Sequence, residues 1–191
     1  GAEGSRIRNG WWWESSTVSV YYGAGITSNM QAKIGAALDT WSYVSLYNYT
    51  VDFTFTEAES ISEADIRFTY TSQASSILGT TIPYDVNGYP EGDSNCVRGE
   101  IQYVSILFYY PLNSEYSFIN TTESGKYNFE SVALHEIGHA LGIAHCHTSC
   151  TSSCTSNVLS SYFTTGQIRR SLQEYDKASL TALYCIYQPF S

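Results

Sequence analysis

The stretch Val132–His147 reads VALHEIGHALGIAHCH and contains all four histidines of the chain. His135 and His139 are four residues apart, so on a helix both imidazoles project from one face, about one turn from each other. Gly142 allows the chain to leave that helix sharply, and His145 follows three residues later. Three neutral imidazoles that leave a fourth position for water are the ligand set of a catalytic Zn²⁺. The spacing therefore predicts one catalytic zinc, bound by these three histidines.

Glu136 directly follows the first of these histidines and is the candidate general base and acid. Because zinc lowers the pKa of its bound water, a carboxylate beside the metal can accept the water proton and pass it on later. The alternatives are chance histidines on an amphipathic helix and a zinc site that serves structure alone. A structural site has no use for the carboxylate, so Glu136 favours catalysis.

Composition and charge exclude several classes of protein. The 191 residues suffice for one compact domain with a core, and 43% apolar against 14% charged residues is typical of a globular protein. A formal net charge of −9 argues against nucleic-acid binding, which needs a basic surface. The pair Arg169 and Arg170 is interpreted as a solvated surface feature. No apolar run is long enough to span a membrane.

The cysteines indicate where the protein works. Five cysteines in a lysine-poor, acidic chain point to an oxidising compartment, so we expect a secreted protein that is the mature portion of a longer precursor. Three of them follow the last histidine ligand at four-residue intervals: Cys146, Cys150 and Cys154. Disulfides are the favoured interpretation, with Cys185 or Cys96 completing the pairs and Cys96 as the candidate left over. A second zinc on these thiolates and His147, or free thiols, are the alternatives.

Hydrophobic periodicity predicts an α+β fold. Alternation predicts strands at residues 16–22, 49–58, 64–72 and 99–110. Helical spacing predicts three helices: one after Thr27 or Ser28, one at Phe129–Leu141 capped by Asn128, and one near the C terminus with a capping box of Ser171 and Glu174. The order of elements suggests one domain with a small C-terminal part after Gly142.

The motif HEIGHALGIAH is the extended zinc motif of the metzincin metallopeptidases, and more of the chain resembles one branch of them, the matrixins, in their bacterial form. LDTWSYVSLYNYTVDFTFTEAE and ADIRFTY resemble the matrixin run from the first helix through the second and third strands. TTGQIRRSLQEYDKASLTALY is similar to the last matrixin helix. The resemblance covers most of the chain from about Ser16.

The resemblance implies a single catalytic domain with the metzincin fold. Its twisted, mostly parallel five-stranded sheet has two backing helices, and a third helix lies in a small C-terminal subdomain. The upper subdomain is expected at residues 1–142 and the lower at 143–191. The family pattern implies His135, His139 and His145 as zinc ligands and Glu136 as base and acid. A protein or peptide substrate would lie extended along an antiparallel edge strand, expected near Ile77–Tyr84.

Matrixins carry a methionine in the turn beneath the zinc, but the only methionine here is Met30. When the chain is aligned with the family pattern, Leu159 occupies the position of that methionine. Exchanging two apolar residues of such similar volume usually lowers the free energy of unfolding by less than about 1.5 kcal/mol. A one-residue shift would instead put Ser160 there and give Tyr162 the transition-state role that a tyrosine has in serralysins and astacins. Phe163 falls near the wall of the family's primary pocket, which indicates an apolar residue after the cut.

Further sites differ from the family pattern. The second, structural zinc of matrixins needs histidines that this chain does not have, so it is expected to be absent. Ca²⁺ could bind in PYDVNGYPEGD, although an ordinary polar loop is the favoured interpretation; the oxygen ligands there would be Asp85, Asn87, Glu91 and Asp93. Asp176 is expected to tie the last helix to the turn beneath the zinc.

The function that these observations favour is that of a secreted zinc endopeptidase, monomeric, which hydrolyses peptide bonds with a zinc-bound water activated by Glu136. The alternative is a zinc-binding adhesion or recognition module with little or no turnover. The unusual residue Leu159 speaks for that module, and Glu136 speaks against it. A peptidase of narrow specificity is a third hypothesis.

Overall fold

The computed structural model describes residues 5–7, 12–96, 101–146, 156–161 and 163–186. Its strands are β1 (Ser5–Ile7), β2 (Thr17–Tyr22), β3 (Tyr43–Leu46), β4 (Tyr49–Asp52), β5 (Thr54–Glu57), β6 (Ile66–Ser75), β7 (Gly79–Asp85), β8 (Ile101–Pro111), β9 (Tyr116–Ser117), β10 (Tyr127–Asn128) and β11 (Ile143–Cys146). Its helices are α1 (Ser28–Ser42), α2 (Phe129–Ala140) and α3 (Glu174–Thr181), with a π-helical continuation at Ala182–Ile186. No helix in these ranges has the length and apolar character of a membrane span.

The central sheet has five strands in the order β5-β2-β6-β8-β7. The first four strands are parallel to one another, and β7 runs antiparallel to β8 at the edge. This confirms the α+β fold with a mostly parallel five-stranded sheet and an antiparallel edge strand. The edge position leaves one side of β7 open to a further strand, which is how an extended peptide can be bound.

The core lies between one face of the sheet and helices α1 and α2. Strand residues that alternate towards this face are buried, such as Val18, Ile66 and Phe108. The two helices contact each other through Trp41, which is fully buried and donates its Nε1 hydrogen to the carbonyl oxygen of Leu134 at 2.8 Å. The large apolar area removed from water here stabilises the sheet and the two helices as one body.

The caps predicted for the first two helices are present. The Thr27 hydroxyl accepts a hydrogen bond from the Met30 amide at 3.2 Å at the start of α1. The Asn128 side chain accepts one from the Ser131 amide at 3.0 Å at the start of α2. Each cap satisfies an amide that has no partner within its helix, so both helices begin where the sequence predicted.

The capping box predicted for the last helix is wrong. Helix α3 begins at Glu174, and its box is formed by Gln173 and Asp176 rather than by Ser171 and Glu174. The Asp176 carboxylate accepts a hydrogen bond from the Gln173 amide at 2.9 Å. It also accepts from the amides of Val158 and Leu159, which belong to a turn distant in the sequence. Because these tertiary bonds hold Asp176 in place, they determine the first turn of α3.

The region predicted as one strand at residues 49–58 contains two. Strand β4 pairs with β3 in a separate antiparallel hairpin, whereas β5 joins the central sheet beside β2. Tyr47 adopts a left-handed conformation with φ of 53° between β3 and β4. Between the two strands, Phe53 is buried and its amide bonds to the Ser42 carbonyl at 2.7 Å. This contact with the end of α1 separates β4 from β5.

The C-terminal end of α2 is closed by aromatic side chains from both ends of the chain. The Trp13 Nε1 hydrogen bonds to the carbonyl oxygen of Ala140 at 2.9 Å, and the Tyr184 hydroxyl bonds to that of Leu141 at 2.6 Å. These bonds satisfy carbonyls that have no partner within the helix. Gly142 then turns the chain with φ of 100°, a conformation that favours glycine. The division into subdomains at Gly142 stays a prediction.

Candidate metal centre

Three histidine side chains converge where α2 ends and β11 begins. The Nε2 atom of His135 lies 3.0 Å from that of His139 and 3.1 Å from that of His145. Within the described ranges, no other group of three or more histidine, cysteine, aspartate or glutamate side chains comes together in a way that could hold a metal ion. The fold therefore brings together the three histidines that the sequence predicted as ligands.

The tautomers of these histidines fit a bound cation. The Nδ1 atom of His135 lies 2.7 Å from the carbonyl oxygen of Val158, and that of His139 lies 2.7 Å from that of Ile143. A carbonyl can only accept, so each Nδ1 carries the proton and each Nε2 presents a lone pair. Lone pairs that face each other repel unless a cation lies between them. Tetrahedral zinc separates its ligand nitrogens by about 3.3 Å at the usual bond length, so the donor set fits Zn²⁺.

The side chain of Glu136 lies against the edge strand, on the same cleft as the histidines. Its carboxylate contacts the hydroxyl of Thr81, which also lies 3.2 Å from the carbonyl oxygen of Glu136. A side chain at Gly79 would place its Cβ 2.9 Å from the Glu136 Cγ, so glycine is needed for this approach. Sequence reasoning missed both β7 residues, although alternation along a strand puts residues 79 and 81 on one face.

The residue beneath α2 at this site is Leu159, which is fully buried. A Cβ added at Gly138 of α2 would lie 2.9 Å from a methyl carbon of Leu159 and 2.9 Å from the Trp41 ring. Leu159 therefore lies where the floor of the site was expected, while Ser160 lines the cleft. Tyr162 lies outside the described residues, so its alternative role stays a prediction.

The turn that contains Leu159 is tied to α3 by one carboxylate. Asp176 accepts hydrogen bonds from the amides of Val158 at 3.0 Å and Leu159 at 3.1 Å, as expected. Asp176 is fully buried, and burial raises its pKa even though its amide hydrogen bonds favour the ionised form. The carbonyl oxygen of Val158 also accepts a hydrogen bond from Nδ1 of His135. Helix α3 therefore supports a predicted zinc ligand through two successive hydrogen bonds, from Val158 to Asp176 and from His135 to Val158.

The cleft in front of the histidines has a volume of 590 Å³. It is bounded by β7 on one side and by α2 and the segment after the turn on the other. Phe163 lies in this wall, and its ring centroid is 5.9 Å from that of Tyr127; its role in a primary substrate pocket stays a prediction. A cleft of this size that contains the three histidines and Glu136 can hold a segment of an extended peptide.

The interpretation of Arg169 and Arg170 as a solvated pair is wrong. Arg169 is half-buried and lines the cleft, and its backbone amide bonds to the Ser131 hydroxyl at 2.8 Å. Burial lowers the pKa of the Arg169 guanidinium, while the nearby Asp176 opposes this shift. Arg170 instead bonds to Asn120 and lies 3.8 Å from the carboxylate of the buried Glu130. Composition could not show that the two arginines have different surroundings, because these surroundings depend on how the chain passes the start of α2.

The loop considered for Ca²⁺ is organised by its own backbone. Asp85 is fully buried, and its Oδ1 atom accepts from the amides of Asn87 and Tyr89 at 2.9 Å each. Asp93 accepts from the Asn95 amide at 2.8 Å. The acidic side chains of this loop do not form a metal-binding group in the described ranges. The loop is therefore explained as a set of polar turns.

Two cysteines are present as thiols, Cys96 and Cys185. The Cys185 thiol donates to the carbonyl oxygen of Thr50 at 3.2 Å, and burial raises its pKa. Cys185 therefore does not complete a disulfide with the cysteine cluster, because it packs against β4 instead. Cys150 and Cys154 lie outside the described residues, so the disulfides and the second zinc stay predictions.

Comparison with known sequences identifies one family. A sequence model of the matrixins, peptidase family M10, matches residues 17–185. The match extends from β2 through α3 and includes the histidine motif. No curated protein sequence matches significantly.

Comparison with known structures identifies the same type of fold. Two structures of myroilysin have TM-scores of 0.52. The first is 17% identical to this chain and covers 95% of it and 98% of its own chain. The second is 16% identical, with 97% of this chain and 93% of its own covered. At such identities the likeness shows the fold alone.

Proposed function

This chain belongs to the matrixin family of metallopeptidases, and we propose that it is a secreted zinc-dependent endopeptidase. The observation that carries the proposal is the position of Glu136. Its carboxylate lines the cleft where the Nε2 atoms of three histidines converge, and Thr81 of β7 contacts it there.

The ligand set fits zinc, which His135, His139 and His145 would hold. When bound, zinc supplies Lewis-acid polarisation of the peptide carbonyl and lowers the pKa of a water in its fourth position. Glu136 accepts the proton of the attacking water and delivers it to the leaving amine. Because Glu136 is only 6% exposed, its proton transfers take place away from bulk solvent.

The edge strand orients the substrate. An extended peptide adds to the open side of β7, whose residues 79–82 line the cleft. The pairing brings one peptide bond over the three histidines, while side chains of the substrate enter the space between β7 and the wall at Phe163. Holding the peptide in one register replaces a search among many orientations and so lowers the entropic barrier.

A recognition module without turnover is the second candidate. It would need the histidines to hold zinc, but it would need neither Glu136 nor the contacts that orient this carboxylate. The close approach at Gly79 and the hydroxyl of Thr81 both act on Glu136. These two contacts favour the peptidase.

The experiment that decides between the two measures zinc content and cleavage of a denatured protein. Wild type is compared with Glu136→Ala and with Glu59→Ala, an exposed glutamate that does not line the cleft. We expect one zinc per chain in all three proteins and loss of cleavage only in Glu136→Ala. One zinc per chain with no cleavage by wild type would refute the endopeptidase and favour the recognition module.

Secretion and one disulfide within the group Cys146, Cys150 and Cys154 form the remaining part of the proposal. The support is compositional, because five cysteines in an acidic, lysine-poor chain fit an oxidising compartment. Peptide mapping of the unreduced protein recovered from culture medium tests both points. Recovery only from the cytoplasm, with all five thiols reactive, would contradict them.

A further inference from the structure

The backbone groups of the edge strand β7 point alternately towards β8 and away from it. One contact shows which residues point which way, because the carbonyl oxygen of Leu78 accepts a hydrogen bond from the Tyr109 amide of β8 at 2.9 Å. In an antiparallel pair this direction reverses at each residue. Gly79, Thr81 and Pro83 therefore point their backbone groups away from β8, to the side on which a substrate strand would add.

The second half of this edge is covered by the chain itself. After β7 the chain turns back through residues 86–91, which we call the return segment. The Glu91 amide donates to the carbonyl oxygen of Pro83 at 2.8 Å, and the Asp85 amide donates to that of Tyr89 at 3.0 Å. The return segment therefore pairs with β7 at the place where a substrate strand would otherwise continue.

The return segment is held in place by its own turn. The fully buried Asp85 carboxylate accepts hydrogen bonds from the amides of Asn87 and Tyr89 at 2.9 Å each, and Gly88 between them has φ of 82°. Closing so short a loop costs little chain entropy. A separate peptide that displaced the segment would lose translational and rotational freedom as well. The pairing within the chain therefore wins over the pairing with a substrate.

Two residues of β7 remain for a substrate strand, Gly79 and Thr81. Within the described part of the chain, their outward backbone groups have no hydrogen-bond partner. The shape of the cleft has the same limit, because residues 76–82 line it and residues 83–91 do not. Pro83 has no amide hydrogen to donate, which is typical of proline at the edge of a sheet. The strand therefore offers a short recognition edge rather than its whole length.

We propose that the return segment is a built-in stop, so that β7 binds the backbone of a substrate only through Gly79 and Thr81. This inference rests on the proposed function and names a substrate class for the same site. Two substrate residues, separated by one, must each donate an amide hydrogen to a carbonyl oxygen of β7. Proline has no amide hydrogen, so peptides with proline at either of these two positions are poor substrates. Proline between them, or beyond the stop, removes no hydrogen bond to β7.

The test uses a peptide that cannot be cleaved, so that it does not depend on turnover. A phosphinate, which binds zinc, replaces the scissile bond of an alanine peptide with several residues on each side. Each backbone N–H is replaced in turn by an ester oxygen, which removes one donor at nearly constant shape. Calorimetry then gives the affinity of each ligand for the zinc-loaded wild type. Among the alternate amides that face β7, we expect two to be sensitive, each with about fivefold weaker binding after replacement.

Two variants at Glu91 test the stop itself. Glu91→Pro removes the amide that covers the carbonyl oxygen of Pro83, so a third sensitive position should follow the first two at the same spacing. Glu91→Ala is the matched control, because it loses the same side chain but keeps the amide, and it should show two positions like wild type. An unchanged pattern in Glu91→Pro that retains zinc and melts normally would overturn the inference.

The scan of the wild type is decisive without any variant. Sensitivity that continues at every alternate amide would show that the return segment does not limit the edge. A phosphinic peptide that does not bind, or binds with no sensitive amide, would show that β7 does not take up a peptide backbone. Cleavage of the parent amide peptide by wild type is measured in parallel. Cleavage with either of these patterns refutes the inference alone, whereas the expected pattern without cleavage refutes the proposed function alone.

Discussion

The hydroxyl of Thr81 on the edge strand is hydrogen-bonded to the carboxylate of Glu136 on α2, the helix that carries His135 and His139. In the proposed reaction Thr81 is therefore a positioning residue, which acts through Glu136. The same strand carries Gly79, whose missing side chain lets β7 approach Glu136 closely. In the proposed function, one strand thus offers its open edge to a peptide and orients the carboxylate that acts on that peptide.

Replacement of Thr81 by valine should lower kcat about tenfold and leave KM within about twofold. Valine has nearly the shape of threonine but cannot donate a hydrogen bond, so the carboxylate loses its orientation in the transition state. A tenfold lower kcat corresponds to a rise of about 1.4 kcal/mol in the activation free energy. Thr81→Ser should restore most of the rate. The measurement is steady-state cleavage of a peptide with zinc content determined on the same samples. A rise in KM with unchanged kcat would show that Thr81 acts on substrate binding instead.

Leu159 should tolerate methionine but not alanine. Leu159→Met keeps the volume beneath α2 and should change the free energy of unfolding by less than about 1.5 kcal/mol. Leu159→Ala leaves a cavity below Gly138 and should cost about 2–5 kcal/mol. Urea unfolding of the zinc-free proteins gives both values. Equal costs for the two substitutions would mean that the turn repacks around this position.

Removal of the Asp176 carboxylate should loosen the floor of the site. In Asp176→Ala the buried amides of Val158 and Leu159 lose their acceptor, which should cost about 2–4 kcal/mol of folding free energy. Because Val158 also accepts from His135, zinc affinity should fall as well. Calorimetric titration with zinc and urea unfolding measure the two effects. Glu174→Ala, a neighbouring exposed acid on α3, is the control and should change neither quantity much.

Removal of zinc should lower the melting temperature. A ligand that binds only the folded state, at a free concentration of about a thousand times its Kd, raises the free energy of unfolding by about 4 kcal/mol. For a chain of this size that raises the melting temperature by about 8–16 °C. A strong chelator should cause this shift in wild type, and His139→Ala should melt at the lower temperature with or without the chelator. A wild type whose melting is unaffected by the chelator would contradict a zinc site at these histidines.

Local spacing was enough to predict that the three histidines come together and where the first two helices start. His135 and His139 share a helical face because four residues make about one turn, and Gly142 is placed to return the chain towards His145. Thr27 and Asn128 cap their helices through amides only three residues away. Each of these features depends on neighbours in the sequence, so the pattern of residues contains the information.

The sequence by itself therefore determined the family, the α+β fold and the three histidines with Glu136 beside them. Only the tertiary structure decided what surrounds Glu136, where α3 begins, and which of two adjacent arginines enters the cleft. Thr81 and Glu136 are 55 residues apart, and no periodicity connects them. Arg169 faces the cleft because its backbone is bonded to Ser131 of α2, 38 residues away. Such contacts arise from the packing of distant segments, which local propensity and motif spacing do not contain.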